Sequence, residues 1–189
     1  MWSSAVIASL MLWISSITGL PVPEYHPQIM YSNGKTMKLM LYGCDLPEQM
    51  NPDQCEEIEE MDKDSRDNNT LGLYDHHEHV IYLNPSLKKM HPVVRDSVLV
   101  HELVHAMQFP AGVPYRCFGE LEETAYDIQD KYLKKNGRKD IFHELDLSPL
   151  YLFITFSCSD GVLEPGNDTY NGYLRENQLN MEPDHLHPK

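Results

Sequence analysis

Two histidines and a glutamate stand in the run Val98-Leu99-Val100-His101-Glu102-Leu103-Val104-His105-Ala106-Met107, an HExxH pattern inside an apolar stretch. Four residues make a little more than one helical turn, so His101 and His105 project from one face, one above the other. Two imidazoles placed this way can share one tetrahedral zinc without straining the backbone. Glu102 follows the first histidine directly and does not stack with the pair. It can reach a water held at such a metal, where hydrolysis needs a general base. The plainer alternative is an amphipathic core helix with two histidines along its edge. The uncharged neighbours Val98, Leu99, Leu103, Val104, Ala106 and Met107 weigh against it. Burying His101, Glu102 and His105 among them is costly unless a metal or hydrogen-bonding partners satisfy them.

A catalytic zinc takes three protein ligands and keeps one position open. The next acidic residues are Glu120, Glu122 and Glu123, at the start of an expected helix from Gly119 to about Lys135 that stops at Asn136-Gly137. Its apolar row is Leu121, Ala125, Ile128 and Tyr132. Its most charged row, Glu123, Asp127, Asp130 and Lys134, faces water. Glu122 lies beside the apolar row with Tyr126, Gln129 and Leu133, so it is the third ligand that helix geometry favours. Glu120 and Glu123 read as solvated surface residues.

The ten residues around His101 and His105 resemble the extended HExxH signature of the zincin metallopeptidases at every position. Glu122-Glu123-Thr124-Ala125-Tyr126 is similar to the ExxA-type second motif of glutamate-ligated zincins (gluzincins), whose first Glu binds zinc. Tyr126 stands where several peptidase families have Asp, and Asp127 follows it; either residue could orient a histidine ligand. The resemblance implies an α+β fold, a minimal zincin-like domain. Its parts are an active-site helix, an edge strand or small sheet, and a second helix carrying the third zinc ligand. In that arrangement Val80–Leu83 would be the edge strand that aligns a substrate backbone. HELVHxxQ followed closely by ExxAY is also similar to small bacterial and phage proteins of no assigned function, a likeness that implies a fold and a metal site but no substrate.

These readings lead to an expected function: a zinc-dependent hydrolase of peptide bonds, with zinc on His101, His105 and Glu122 and with Glu102 as general base. Peptides or proteins would be its substrates. Tyr115, Tyr126 and His143 qualify by chemistry as stabilisers of the oxyanion, and the sequence does not choose among them. The competing expectation is an exported zinc-binding or interaction module on the same scaffold, without catalysis. The intact Glu102 argues against that, since a structural site needs no base. Hydrolysis of a non-protein amide, such as a cell-wall cross-link, is a third reading.

The elements that must hold these residues belong to a chain of 189 residues with 29 Asp and Glu against 15 Lys and Arg, a net charge of −14. So acidic a chain lacks the basic stripe that a nucleic-acid surface requires, and it is poorly suited to anionic lipid. Residues 1–20 carry no charged side chain and end before Pro21 and Pro23. They read as a secretory signal without the usual basic start, with an uncleaved anchor second and a buried core helix third. Residues 21–70 are an N-terminal region, either part of the domain or a removable pro-segment. Residues 71–160 form the metal-binding core and residues 161–189 a polar tail.

Export, to the periplasm if the source is bacterial, suits an even cysteine count. Cys44, Cys55, Cys117 and Cys158 permit two disulfides in three pairings. In the N-terminal region, Ser32-Asn33-Gly34-Lys35 reads as a turn and Lys38 to Tyr42 as a strand. A hairpin is expected at Asp75 to Glu78, and Leu150 to Phe156 as a core strand or buried helix. His76, His77 and His79 read as surface or cleft residues rather than a second metal site, and His185 and His187 as tail residues.

Overall fold

A computed structural model describes residues 2–41 and 70–158. In chain order the elements are α1 (Ser4–Thr18), β1 (Gln28–Tyr31), α2 (Gly34–Leu41), β2 (Gly72–Asp75), β3 (Val80–Leu83), a 3-10 turn (Pro85–Lys89), α3 (Pro92–Gln108), α4 (Phe118–Lys135), α5 (Ile141–Glu144) and α6 (Pro149–Phe156). The protein is mixed α+β, with one small three-stranded sheet and several helices. Cys44, Cys55 and the tail with His185 and His187 lie outside the described residues.

α3 is the axis of the fold. Pro92 sits in its first turn, where a missing N–H does no harm, and His91 Nδ1 accepts the Val93 N–H at 3.2 Å. From Ser97 to Gln108 every residue is buried. A helix apolar or satisfied on all sides must be covered on all sides. The sheet covers one flank with Tyr74, Ile81 and Leu83, and α4 covers another with Ala125 and Ile128. α1 lies across a further part through Ile7, Met11 and Ile14. Each such side chain stabilises the core by about 1.5–3 kcal/mol. At its start, Trp2 Nε1 donates to Asp96 Oδ1 at 2.9 Å, with the Arg95 guanidinium 4.9 Å from the Trp2 ring. α1 ends at Gly19, whose φ of 76° is a left-handed cap that glycine adopts without strain. Among the described residues no helix is long and apolar enough to cross a membrane.

The sheet order is β1-β3-β2, with β1 parallel and β2 antiparallel to β3. This corrects the placement of the edge strand. Val80–Leu83 is the central strand, buried at Val80, Ile81 and Leu83, and among the described residues the edge strand beside α3 is β2. The β2–β3 hairpin forms where Asp75 directs it. Its Oδ1 accepts the N–H groups of His77 at 2.8 Å and Glu78 at 3.1 Å, an Asx turn.

Two further expectations change. Lys38 to Leu41 is the end of a helix rather than a strand, because Asn33 caps it: Asn33 Oδ1 accepts the Thr36 N–H at 2.9 Å and the Asn33 carbonyl accepts from Met37. The supposed turn at Ser32 to Lys35 is that cap. Leu150 to Phe156 is helical, but it is neither a core strand nor a buried helix. Only Leu152 is buried, while Leu150 and Phe153 are 66% and 70% exposed.

Cys117, immediately before α4, is bonded to Cys158, just after α6. Of the three pairings, those that join either cysteine elsewhere are thereby excluded. Gly119 lets the two segments touch, since a Cβ there would lie 2.5 Å from the Thr155 carbonyl oxygen. The bridge closes a loop with a sequence separation of 41. The chain-entropy relation for that length gives about 4 kcal/mol. Reduction is therefore expected to lower the unfolding free energy by about 2–4 kcal/mol in a urea titration; an unchanged midpoint would show that α6 docks without it.

Candidate metal centre

His101 and His105 face α4 from α3, and Glu122 meets them from the first turns of α4. The two imidazoles and the carboxylate form a triangle of ligand groups, all within reach of one ion. His101 Nε2 lies 3.2 Å from His105 Nε2 and 3.3 Å from Glu122 Oε2, and His105 Nε2 lies 3.2 Å from Glu122 Oε1. A tetrahedral ion with ligand bonds of 2.0–2.1 Å separates its ligands by about 3.3 Å. The Nε2–Nε2 separation matches one edge of that tetrahedron, and each histidine faces its own oxygen of the Glu122 carboxylate. These three residues could hold a metal ion, and among the described residues no other group of three His, Cys, Asp or Glu gathers in this way.

The other ring nitrogen of each histidine is fixed by an amide. His101 Nδ1 pairs with Gln129 Oε1 at 3.1 Å and His105 Nδ1 with Gln108 Oε1 at 2.9 Å. The orientation of both amides follows from their far ends. Gln129 Nε2 donates to Ser97 Oγ at 3.3 Å, and Ser97 in turn donates to the Val94 carbonyl at 2.7 Å. Gln108 Nε2 donates to the Leu121 carbonyl at 3.1 Å. With the amide oxygens facing the rings, each Nδ1 must carry a proton, so in the neutral ring it is Nε2, pointing into the cluster, that holds the lone pair. That is the tautomer a metal ligand needs.

Burial alone would raise the Glu122 carboxyl, but the adjacent His105 and His101 outweigh it and hold it far below the usual carboxylate range. Burial likewise opposes charge on His105, and Glu122 beside it reverses the sign and pushes it up. Glu102 is different. Burial is its dominant influence and pushes it up, although both histidines pull the other way and the Tyr74 N–H of β2 donates to it. It is only 5% exposed. β2 can approach this closely because of Gly72: a Cβ there would overlap the Glu102 carboxyl group.

The sequence residues therefore divide clearly. His101, His105, Glu102 and Glu122 come together. Glu120 turns outward to Arg116, with Arg116 Nε 2.6 Å from its Oε1, and Glu123 is exposed. Asp127 does not orient a histidine; it pairs with Lys131 at 2.6 Å on the exposed face. Tyr126 lays its ring edge-to-face on His101, with centroids 4.5 Å apart. Tyr115 lines a small cavity with Gln108, Phe109 and Leu121 instead, and His143 pairs with Asp140 at the surface. His76 stacks on Phe109 with centroids 4.7 Å apart, and burial with His77 beside it lowers its pKa to about 4. His79 Nδ1 meets the Tyr74 hydroxyl at 3.2 Å.

Sequence reasoning missed the roles of Gln108, Gln129, Ser97 and Gly72. The signal for the glutamines was present. Gln108 is three residues past His105 and Gln129 seven past Glu122, so each shares its ligand's helix face. Gln129→Ala is expected to weaken zinc binding by about 10–100-fold, read by competition with a chromophoric chelator; a change under twofold would exclude Gln129 as the group that orients His101.

Fold and site together define a small α+β protein whose central helix and its neighbour present two histidines and a glutamate able to hold a metal. Residues 44–160 match the family described as Domain of unknown function (DUF6647), and the chain belongs to it. The matched span contains all four site residues. No curated protein and no solved structure matches the chain.

Proposed function

We propose that this is an exported zinc-dependent hydrolase of peptide bonds on a zincin-like scaffold, with His101, His105 and Glu122 as zinc ligands and Glu102 as general base. The observation that carries this reading is the ligand triangle: His101 and His105 Nε2 are 3.2 Å apart and turned inward, at 3.3 and 3.2 Å from the two oxygens of Glu122. A zinc ion there would supply Lewis acidity, acidifying a water and polarising a carbonyl. Glu102 follows a ligand directly and is held by the Tyr74 N–H. It takes one proton from the attacking water; the water oxygen bonds to the carbonyl carbon, the C–N bond breaks, and the proton passes from Glu102 to the leaving amine. Burial raises the proton affinity of Glu102, which suits a group that must accept a proton and return it.

Export is supported by the Cys117–Cys158 bridge, which belongs in an oxidising compartment. The alternative, a non-catalytic zinc module, is favoured by one observation: Glu102 also ties α3 to β2, a structural use for the same side chain. Elemental analysis of the purified chain, followed by digestion of casein and a peptide library beside the Glu102→Gln protein, separates the readings. One zinc per chain with Glu102-dependent cleavage supports the hydrolase. One zinc without cleavage supports the module, and no zinc after reconstitution removes both.

A further inference from the structure

We propose that the Tyr126 hydroxyl donates the hydrogen bond that steadies negative charge developing on the substrate carbonyl oxygen beside His101, and that Tyr151 positions it. This rests on the peptide-hydrolysis reading above. Tyr126 follows Glu122 by one turn of α4, so the two share a face, and helical side chains lean toward the N-terminus, here toward Glu122. Its ring meets that of His101 edge-to-face at 68°, with centroids 4.5 Å apart. The charges of Glu122 and Glu102 both act on its hydroxyl. The hydroxyl is hydrogen-bonded to Tyr151 of α6. Tyr151 is 49% exposed, which brings the pair to the boundary between the buried cluster and solvent.

A phenol is an obvious donor for an oxyanion, and peptide hydrolysis requires one. The two other residues suitable by chemistry are engaged elsewhere, Tyr115 beside its own cavity and His143 on Asp140. Support for the ring comes from Phe156, 5.8 Å between centroids, on the helix that the Cys117–Cys158 bridge and Gly119 fasten to the start of α4. The pairing with Tyr151 lets the donor be redirected without loss of a hydrogen bond. Tyr151 turns its O–H toward the Tyr126 oxygen, and Tyr126 turns its own toward the substrate. No proton leaves either hydroxyl.

The full-length chain, loaded with zinc, is titrated calorimetrically with two probes. N-phosphoryl-leucinamide presents a tetrahedral oxyanion, and acetohydroxamate is a planar chelator. Tyr126→Phe is expected to bind the phosphoryl probe at least tenfold more weakly, with zinc content and acetohydroxamate affinity unchanged. Tyr151→Phe is expected to show a smaller loss in the same direction. Equal affinity of wild type and Tyr126→Phe for the phosphoryl probe, no binding of it by the wild type, or an equal loss for both probes each overturns the role of Tyr126. Absence of zinc in the wild type is seen before any probe is added and overturns the metal reading instead.

Discussion

Glu102→Gln is expected to cut peptide hydrolysis by about 10²–10⁴-fold, the usual contribution of a positioned general base, while one zinc per chain is retained. The expectation follows from the placement of the residue. Glu102 does not belong to the ligand triangle, so its loss leaves His101, His105 and Glu122 intact. Gln is nearly isosteric, and its carbonyl oxygen can still accept the Tyr74 N–H, so the contact between α3 and β2 survives. It cannot hold the proton that water must lose. Replacing a buried carboxylate, whose ionised form burial disfavours, by a neutral amide should not weaken the fold. Initial rates on a cleaved peptide, beside metal content, provide the check. Full activity in Glu102→Gln would end the mechanism, and loss of zinc would make Glu102 a ligand rather than a base.

The second large effect is expected at Glu122. Glu122→Ala removes one corner of the triangle and leaves two histidines, and the zinc affinity should fall by more than the roughly 10–100-fold typical of a residue that merely orients a ligand. Glu123→Ala, one position along on the exposed face of α4, should leave both zinc content and stability unchanged, within about 0.5 kcal/mol. Elemental analysis after gel filtration of both variants is sufficient. Equal zinc in the two would show that the inward carboxylate is not a ligand, and loss in Glu123→Ala alone would reverse the assignment.

The site was legible because it is local. HExxH is a spacing within one helix, and the choice of Glu122 over Glu123 needed only the helical period and the side on which Leu121, Ala125 and Ile128 are buried. Both helices begin and end close to where their prolines, lysines and Asn-Gly pair place them. What was not legible is what the sheet and long-range contacts decide. A four-residue run such as Val80–Leu83 has the same composition at an edge as in the centre. Only the parallel partner Gln28–Tyr31, about fifty residues earlier, makes it central. The Gly72 approach to Glu102 is likewise a meeting of distant segments. Leu150 to Phe156 misled for the opposite reason: its composition demands burial, yet in the described residues only Leu152 obtains it.

Neither histidine of the cluster is backed by a carboxylate. Gln108 and Gln129 fill the places where Asp or Glu would bring further charge into a closed space. Among the described residues the carboxylates of the cluster are Glu102 and Glu122, −2 when both are ionised at −1 each, and two neutral imidazoles add nothing. A divalent cation brings that sum to zero. A monovalent ion leaves a net −1 and a trivalent ion a net +1, and an uncompensated buried charge costs several kcal/mol. Under the proposed zinc reading, amides in these two places keep further carboxylate charge away from the ion, which suits a divalent cation.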